Sequence, residues 1–338
     1  MVGPAKTCAL DLIRVLTNSV NYALKESVVS NMLRTRWPRK SLRALALVAA
    51  MLTVSLLGPM DLKASPQTPV VGAVPFGVYD PDGAFSADPS ITVEHLFLPW
   101  EDVSLQSLHD ADSYAVARHR ALLITIEPWT WSNSARNTPE NLRAGIFSGL
   151  YDQNMRAICS VIGTLESPVT VRWAQEMEDG SSRFIWAGWK PVDYIAAYRR
   201  MIGICRNAAP RARYMWSPKG LPGLEQYYPG DSYVDIVGVS VFGYQPADQA
   251  EVGHNQTFDE IFAPRYQRVA GFGKPVVVAE LGYAGNQEYV DAWNARVRQS
   301  SEAYPQLVGV IYFNQREVYP WIGQVGLPDW RFGHNILQ

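Results

Sequence analysis

Eight short apolar runs, separated by longer amphipathic stretches, are the feature that most limits what this chain can fold into. Most of the runs are almost continuously apolar, as expected of parallel strands covered on both faces. We predict strands at Val74–Asp80, Val93–Trp100, Ala121–Pro128, Val169–Glu176, Ala212–Pro218, Asp235–Val241, Pro275–Leu281 and Leu307–Asn314. Helices are predicted between most of them, at Leu105–His119, Pro139–Gly163, Pro191–Ala208, Phe258–Gly271 and Gln287–Tyr304.

This alternation predicts an α/β fold, a (β/α)8 TIM barrel, because eight strand and helix units need about 250 residues. The alternative is an open doubly wound sheet, which usually carries a Gly-rich phosphate-binding turn after its first strand. Here the first strand runs into Y-D-P-D-G at 79–83, which lacks that spacing. The sequence therefore favours the barrel.

The segment before the barrel has the layout of an export signal. Five basic residues between Arg34 and Arg43 precede an apolar stretch at Ala44–Leu57, as in a secretory signal peptide. That stretch is shorter than the roughly 20 residues of a membrane span. We predict an extension with a signal peptide or anchor at 1–64, a linker at 65–73 and a catalytic barrel at 74–338.

Export to the periplasm or the extracellular space follows from this reading, with cleavage near Ala64. An uncleaved membrane anchor at 44–57 is the alternative. The net charge of -2 gives no electrostatic reason to expect nucleic-acid binding. Cys159 and Cys205 fall in helical patterns, where free buried thiols are the default expectation, and a disulfide between them is left open.

Two glutamates end predicted strands in the same way. Glu176 ends the fourth strand and Glu280 lies at the end of the seventh, and the C-terminal strand ends of a barrel open onto its active site. Glycoside hydrolysis needs one protonated and one ionised carboxyl group, about 5–5.5 Å apart in a retaining enzyme. A single glutamate at a strand end is most often an ion-pair partner or a helix cap, but the matched pair predicts catalysis.

Other residues near these strand ends are candidates for substrate binding. Glu127 ends the third strand and is the strongest rival acid, whereas Arg172 would keep a carboxylate ionised or pair with another barrel acid. The chain has 11 Trp and 17 Tyr, and flat rings at strand ends suit a carbohydrate cleft. Candidate stacking surfaces, which would otherwise plug the barrel mouth, are Trp129, Trp131, Trp186, Trp189, Trp216 and Phe313.

Four segments agree in order and strand position with one known family. They are V-R-W-A-Q-E-M-E at Val171–Glu178 with Trp186 and Trp189, W-S-P at Trp216–Pro218 with Tyr227–Val239, K-P-V-V-V-A-E-L-G at Lys274–Gly282, and I-Y-F-N at Ile311–Asn314. The set resembles glycoside hydrolase family 26, retaining endo-acting glycanases on the (β/α)8 fold. The resemblance implies that Glu176 is the acid/base and Glu280 the nucleophile.

Departures from the family pattern cluster around the same glutamates. Gln175 stands where mannan-cleaving members usually have His, and Glu178 and Asp179 stand where they tend to have Asn and Gly. Phe242 aligns with a Tyr that hydrogen-bonds the nucleophile in the family. Tyr244, two residues on, takes over that role or the bond is missing. We include Gln175 and Tyr244 among the predicted substrate-binding residues.

The predicted function is hydrolysis of internal bonds of a β-linked polysaccharide, β-1,4-mannan or β-1,3-1,4-glucan, by a monomer that needs no metal or cofactor. Glu176 is expected to have the raised pKa of the pair, because of the negative Glu280 and apolar walls. The alternative is a weak or inactive polysaccharide-binding barrel associated with exopolysaccharide synthesis or processing. A purely structural membrane-tethered protein is a third hypothesis, which two acids at matching strand ends argue against.

Overall fold

The computed structural model describes residues 73–130, 132, 135–318, 321 and 325–337, and it contains the predicted barrel. Eight parallel strands pair in sequence order, and the first pairs with the last to close the sheet. They are β1 (Phe76–Tyr79), β2 (Ile91–Pro99), β3 (Ala121–Glu127), β4 (Val169–Trp173), β5 (Arg213–Trp216), β6 (Ile236–Tyr244), β7 (Val276–Ala284) and β8 (Leu307–Phe313). The (β/α)8 fold is confirmed, and the open sheet is excluded.

The helices follow the predicted order with two differences. In the described residues they are α1 (Leu105–Val116), α2 (Pro139–Ser148), α3 (Asp152–Ile162), α4 (Pro191–Ala208), α5 (Gln245–Glu251), α6 (Phe258–Ala270) and α7 (Gln287–Val297). The single helix predicted at Pro139–Gly163 is wrong, because Gly149 adopts a left-handed φ of 84° and ends α2. The short helix α5 was not predicted.

Side-chain alternation along the strands separates two cores. Inside the barrel, apolar side chains form one layer, which contains Leu123, Met215, Ile236, Val277, Ala279 and Ile311. Outside it, the remaining strand residues pack beneath the helices, as Val171 and Trp173 of β4 do. Arg172 lies between these two outward residues, so the pleat sends its side chain into the barrel interior, where it is fully buried.

A β-bulge in β7 turns Glu280 into the barrel. The register against β6 shifts after Val239, so that Ser240 pairs with Glu280 and Ala279 is passed over. Val277 and Ala279 both belong to the interior layer, and strict alternation would send Glu280 outward to the helices. The extra residue of a bulge gives Glu280 an interior direction instead. Glu280 therefore lies within β7, and not at its end as predicted.

Cys159 of α3 and Cys205 of α4 form a disulfide. The default expectation of two free thiols is therefore wrong, and the alternative that was left open is correct. The two helices are neighbours on the outer layer, with both cysteines fully buried. The bridge spans 46 residues of sequence and encloses β4, the strand that carries Arg172.

The described residues contain no helix that is both long and apolar enough to cross a membrane. The predicted signal peptide or anchor at 44–57 lies outside the described residues, as does most of the linker predicted at 65–73.

We expect reduction of the Cys159–Cys205 bridge to lower the free energy of unfolding by about 2–4 kcal/mol, because the bridge restricts the unfolded chain. Urea denaturation of the protein with and without dithiothreitol measures this loss. The double variant Cys159→Ser/Cys205→Ser is the control, and its stability should not respond to the reductant. Two reactive thiols at these positions in the oxidised protein, or equal midpoints with and without reductant, would contradict the prediction.

Candidate active site

A buried ion pair lies inside the barrel. Arg172 Nη1 donates to Glu280 Oε1 over 2.6 Å. The same nitrogen lies 3.4 Å from Thr125 Oγ1, which also contacts His95 Nε2 at 2.8 Å. Burial and the positive charge of Arg172 hold the pKa of His95 well below its usual range, so this histidine is neutral. Arg172 is therefore the cation that is hydrogen-bonded to Glu280.

Glu176 lies in a strained turn directly after β4. Ala174 and Glu176 adopt left-handed φ angles of 48° and 55°, which cost about 1–3 kcal/mol each for residues with a Cβ atom. Hydrogen bonds hold the turn: Glu176 N donates to Ser217 O (2.8 Å), Trp186 Nε1 to Gln175 O (2.7 Å) and Tyr194 Oη to Ala174 O (3.0 Å). The prediction placed Glu176 on the strand, but the strand ends at Trp173 and this turn directs the carboxylate.

Ser240 connects the two predicted catalytic carboxylates. Its hydroxyl donates to Glu176 Oε1, and its backbone pairs with Glu280 in the β6–β7 register. Because neighbouring strands lie about 4.8 Å apart, the backbone of Glu280 lies next to this serine, and the negative charge of Glu176 acts on the Glu280 carboxyl group. Glu176 is 4% exposed and Glu280 is 8% exposed. The two glutamates thus meet in one nearly enclosed part of the barrel.

The carboxyl group of Glu280 has a raised pKa. Burial raises the pKa of its carboxyl group to about 7, and the negative charge of Glu176 adds to this rise. The guanidinium of Arg172 acts in the opposite direction, because it stabilises the ionised carboxylate.

Glu127 and Gln175 form a second buried polar group beside the ion pair. Gln175 Nε2 donates to Glu127 Oε1 over 2.7 Å, and Trp129 Nε1 donates to the other carboxylate oxygen over 2.9 Å. Burial raises the pKa of Glu127, although these two hydrogen bonds oppose the rise. Among the described residues, Gln175 Oε1 is buried and accepts no hydrogen bond.

A cavity of about 970 Å³ opens beside Glu176. Its walls come from the loops after β4 and β5, the end of β6 and the cavity-facing side of α6. They include Phe242, Tyr244 and Trp321, together with basic side chains. A volume of this size is typical of a ligand-binding cleft, and Glu176 is one of the residues that line it.

Several predicted stacking residues do not present a free ring. Trp186 and Trp216 are fully buried; Trp186 stacks on Phe184, and Trp216 packs against Tyr228 and Phe272. Trp189 and Trp129 are also buried in the main core. Large apolar rings fill the space under long loops, so their prediction as sugar-stacking surfaces is wrong for this conformation. Trp131 lies outside the described residues.

Two aromatic predictions have a different outcome. Phe313 lies at the barrel mouth, where it stacks on Tyr79 and meets Phe97 and Phe242 edge-on. Tyr244 lines the cavity, but its hydroxyl donates to Val325 O over 2.9 Å. It therefore does not take over the hydrogen bond to the nucleophile that Phe242 cannot make.

Sequence reasoning missed Ser240 and the basic wall of the cavity. Ser240 stands inside G-V-S-V-F-G-Y at 238–244, where only its inward position on an alternating strand could have drawn attention. Arg265 and Arg268 follow Pro264 within α6 and resemble surface charges in the sequence. Trp321 lies in the segment after β8, which shows no regular pattern of apolar residues.

A closed barrel with two buried carboxyl groups has the pair of acids that glycoside hydrolysis needs. Residues 152–306 match the model of glycosyl hydrolase family 26. The family resemblance is thereby confirmed for this part of the chain. Endoglucanase H of Acetivibrio thermocellus is 28% identical over 59% of this chain. The match spans only 22% of that relative's length.

Solved structures share the fold at low sequence identity. An endo-β-1,4-mannanase from Cellulomonas fimi matches with a TM-score of 0.56 and 15% identity, over 72% of this chain and 65% of that one. The catalytic domain of a Bacillus endo-β-1,4-mannanase matches with a TM-score of 0.56 and 14% identity, over 71% and 77%. A β-mannanase from Bacteroides ovatus gives 0.53 and 16%, over 75% and 86%. At these identities the likeness concerns the fold alone.

We expect Glu280→Gln to flatten the pH dependence of stability between about pH 4.5 and 7. The folded protein keeps the Glu280 proton up to about pH 7, whereas the unfolded chain releases it near the ordinary pKa of 4.5. The folded state then binds more protons than the unfolded state, so the free energy of unfolding falls as pH rises, by about 3 kcal/mol in total. The variant loses this contribution.

Urea denaturation of the wild type and of Glu280→Gln at several pH values from 4.5 to 8 measures the difference. Glu140→Gln, an exposed substitution in the first turn of α2, is the matched control and should keep the wild-type slope. The same slope in the wild type and in Glu280→Gln would show that Glu280 titrates like a solvated carboxylate.

Proposed function

We propose that this protein is a retaining endo-β-glycanase that hydrolyses internal bonds of a β-linked polysaccharide. The observation that carries the proposal is the placement of Glu176 and Glu280 beside Ser240, with the charge of Glu176 acting on Glu280, in a barrel of which residues 152–306 match the family 26 model. Arg172 supports the assignment of roles, because its direct ion pair favours the ionised form of Glu280. Because burial raises the pKa of Glu280 to about 7, the nucleophile is ionised only above about that pH, and the role of proton donor is assigned to Glu176.

The proposed reaction is a double displacement. Glu280 attacks the anomeric carbon while Glu176 gives its proton to the glycosidic oxygen, so the leaving sugar departs and a glycosyl ester forms. Water then attacks the same carbon, Glu176 takes a proton from the water, and the ester bond to Glu280 breaks. Retention of configuration requires the two carboxyl groups to lie about 5–5.5 Å apart.

The substrate is proposed as β-1,3-1,4-glucan or β-1,4-mannan. The name of the endoglucanase relative supports a glucan, and the names of the structural neighbours support a mannan. Gln175 replaces the usual histidine of mannan-cleaving members and is tied to Glu127. An assay of both polymers, with products sized by mass spectrometry, separates the two substrates.

We also propose that the protein is exported. The Cys159–Cys205 disulfide supports this, because such bonds persist mainly in oxidising compartments, and the basic and apolar leader before residue 65 agrees with it. Cleavage of the leader, attachment to a membrane through 44–57 and a monomeric state stay predictions. Mass spectrometry of the protein recovered from the producing cells would give its N-terminus.

A weak or inactive polysaccharide-binding barrel is the second candidate. Phe242 has no hydroxyl, and that of Tyr244 is bonded to Val325 O, so neither supports Glu280 as the family's tyrosine does. Calorimetry that detects oligosaccharide binding without release of reducing ends would favour this candidate over hydrolysis.

We expect Glu280→Ala and Glu176→Ala each to lower kcat on the preferred polymer by about a hundredfold or more, because each removes a group that acts on the reacting bond. Azide should restore turnover to Glu280→Ala and yield a glycosyl azide of inverted configuration. Glu140→Ala, on the exposed face of α2, is the control and should keep wild-type kcat. Wild-type activity in either glutamate variant would exclude the mechanism.

A further inference from the structure

We propose that the part of the cleft beside Glu176 binds a carboxylate-bearing sugar, with Arg265 and Arg268 of α6 as its arginine pair. The arginine pair lines the cavity together with Glu176. The general acid protonates the oxygen of the departing sugar, so the space beside Glu176 receives the leaving-group side of the chain. This placement of the sugar rests on the proposed function, whereas the binding of the anion does not.

The arginine pair is fixed by the main chain and not by acids. Arg265 Nη1 donates to Ser240 O and lies 3.4 Å from Lys219 O. Arg268 Nη1 donates to Gly220 O over 2.9 Å and to Pro264 O over 3.0 Å. Carbonyl acceptors orient a guanidinium without neutralising it. The two side chains are three residues apart on one helix, which places them on the same face.

Two other basic groups of the cavity, those of Lys219 and Arg183, are engaged in ion pairs. Lys219 pairs with Asp179 at 2.8 Å, and Arg183 pairs with Glu317 at 3.2 Å. In the described part of the chain, neither member of the arginine pair lies within ion-pair distance of a carboxylate. Glu176 and Glu178 act on Arg265 only through space. The arginine pair therefore contributes a local positive charge that no hydrogen-bonded acid cancels.

Two acids on the same wall, Asp248 and Glu260, are held by other donors. Asp248 accepts from Tyr289 Oη over 2.8 Å and from Gln256 N over 3.0 Å. Glu260 accepts from Thr257 N over 2.7 Å in the capping box of α6. These bonds hold both carboxylates to backbone and tyrosine donors, so they do not serve as partners for the arginine pair.

The chemistry of two adjacent guanidinium groups selects the ligand class. In the described residues, the Nε and Nη2 atoms of Arg265 and Arg268 donate to no protein acceptor. Guanidinium donors match the two oxygens of a carboxylate and bind it in a bidentate manner. A hexuronic acid residue carries such a carboxylate on its ring. The structure thus assigns a uronate-containing polysaccharide as the substrate class for this site.

Calorimetry on the full chain tests the proposal with two tetrasaccharides, β-1,4-linked glucuronic acid and cellotetraose, at low salt and in 0.5 M NaCl. At low salt we expect the uronate to bind about tenfold tighter or more than the neutral sugar, because hydrogen bonds between charged groups contribute more than neutral ones. High salt should reduce this preference. Equal affinity for both sugars, or no binding of either one, would overturn the proposal.

Substitutions localise the anion. Arg268→Gln and Arg265→Gln should each reduce uronate affinity about tenfold and leave cellotetraose affinity within twofold. Arg200→Gln is the matched control, because Arg200 is an exposed arginine paired with Asp152 on the outer helices. Unchanged uronate affinity in both cavity variants would overturn the proposal. The wild-type comparison of the two sugars stands even if a variant fails to fold.

Hydrolysis separates this proposal from the proposed function. If the wild type cleaves neutral glucan or mannan and binds uronate no better than the neutral sugar, the arginine site fails and the glycanase stands. If it binds uronate preferentially through Arg265 and Arg268 but cleaves no polymer, neutral or uronate-containing, the glycanase fails and the anion site stands.

Discussion

The ion pair between Arg172 and Glu280 is the constraint on which the centre of this barrel depends. Transfer of two charges from water into a protein interior costs several kcal/mol for each ion, and only close contact and further hydrogen bonds offset that cost. Arg172 Nη1 and Glu280 Oε1 lie 2.6 Å apart, which provides this close contact. The bulge in β7 is what makes this contact possible, because it turns Glu280 inward over the apolar layer. A regular strand would have left Arg172 buried without a counter-ion.

Much of the fold could be predicted because strands buried on both faces are continuous apolar runs in the sequence. The positions of Glu176 and Glu280 followed from the same rule, since both come after such runs. The bulge at Ala279 and the left-handed turn around Gln175 could not be predicted, because no glycine or proline marks either one. Gly149 marks the break between α2 and α3 in the sequence, because a glycine readily adopts the left-handed φ that ends a helix.

The rest of the site depends on contacts that sequence order does not reveal. Ser240 reaches Glu176 from a strand 64 residues further along the chain, and the arginine pair reaches the cavity from α6. The tryptophans were assigned to the wrong place for another reason: in the sequence, rings that stack on sugars and rings that fill a core have the same spacing. Trp186 and Trp216 proved to be core residues, while Trp321, outside every regular element, lines the cavity.

The departures from the family pattern change how the central carboxylates are supported. Gln175 is tied to Glu127 rather than free to move, and Phe242 adds an apolar ring where a hydroxyl would stand. Support of the ionised Glu280 therefore comes mainly from Arg172, in a neighbourhood where His95 is neutral. A site with one principal charge partner is sensitive to any shift of that partner. This links the electrostatics of Glu280 directly to the packing around β4.

The bridge between α3 and α4 acts on this packing from the outside. It joins the helix that precedes the strand of Arg172 to the helix that follows the turn of Glu176. Protein produced in a reducing cytosol would fold without this disulfide. Preparations that differ in their degree of oxidation would then differ in how firmly the turn of Glu176 is held. The activities of recombinant preparations should therefore be compared only after their thiol content has been matched. Differences in oxidation state would otherwise be mistaken for differences in catalytic activity.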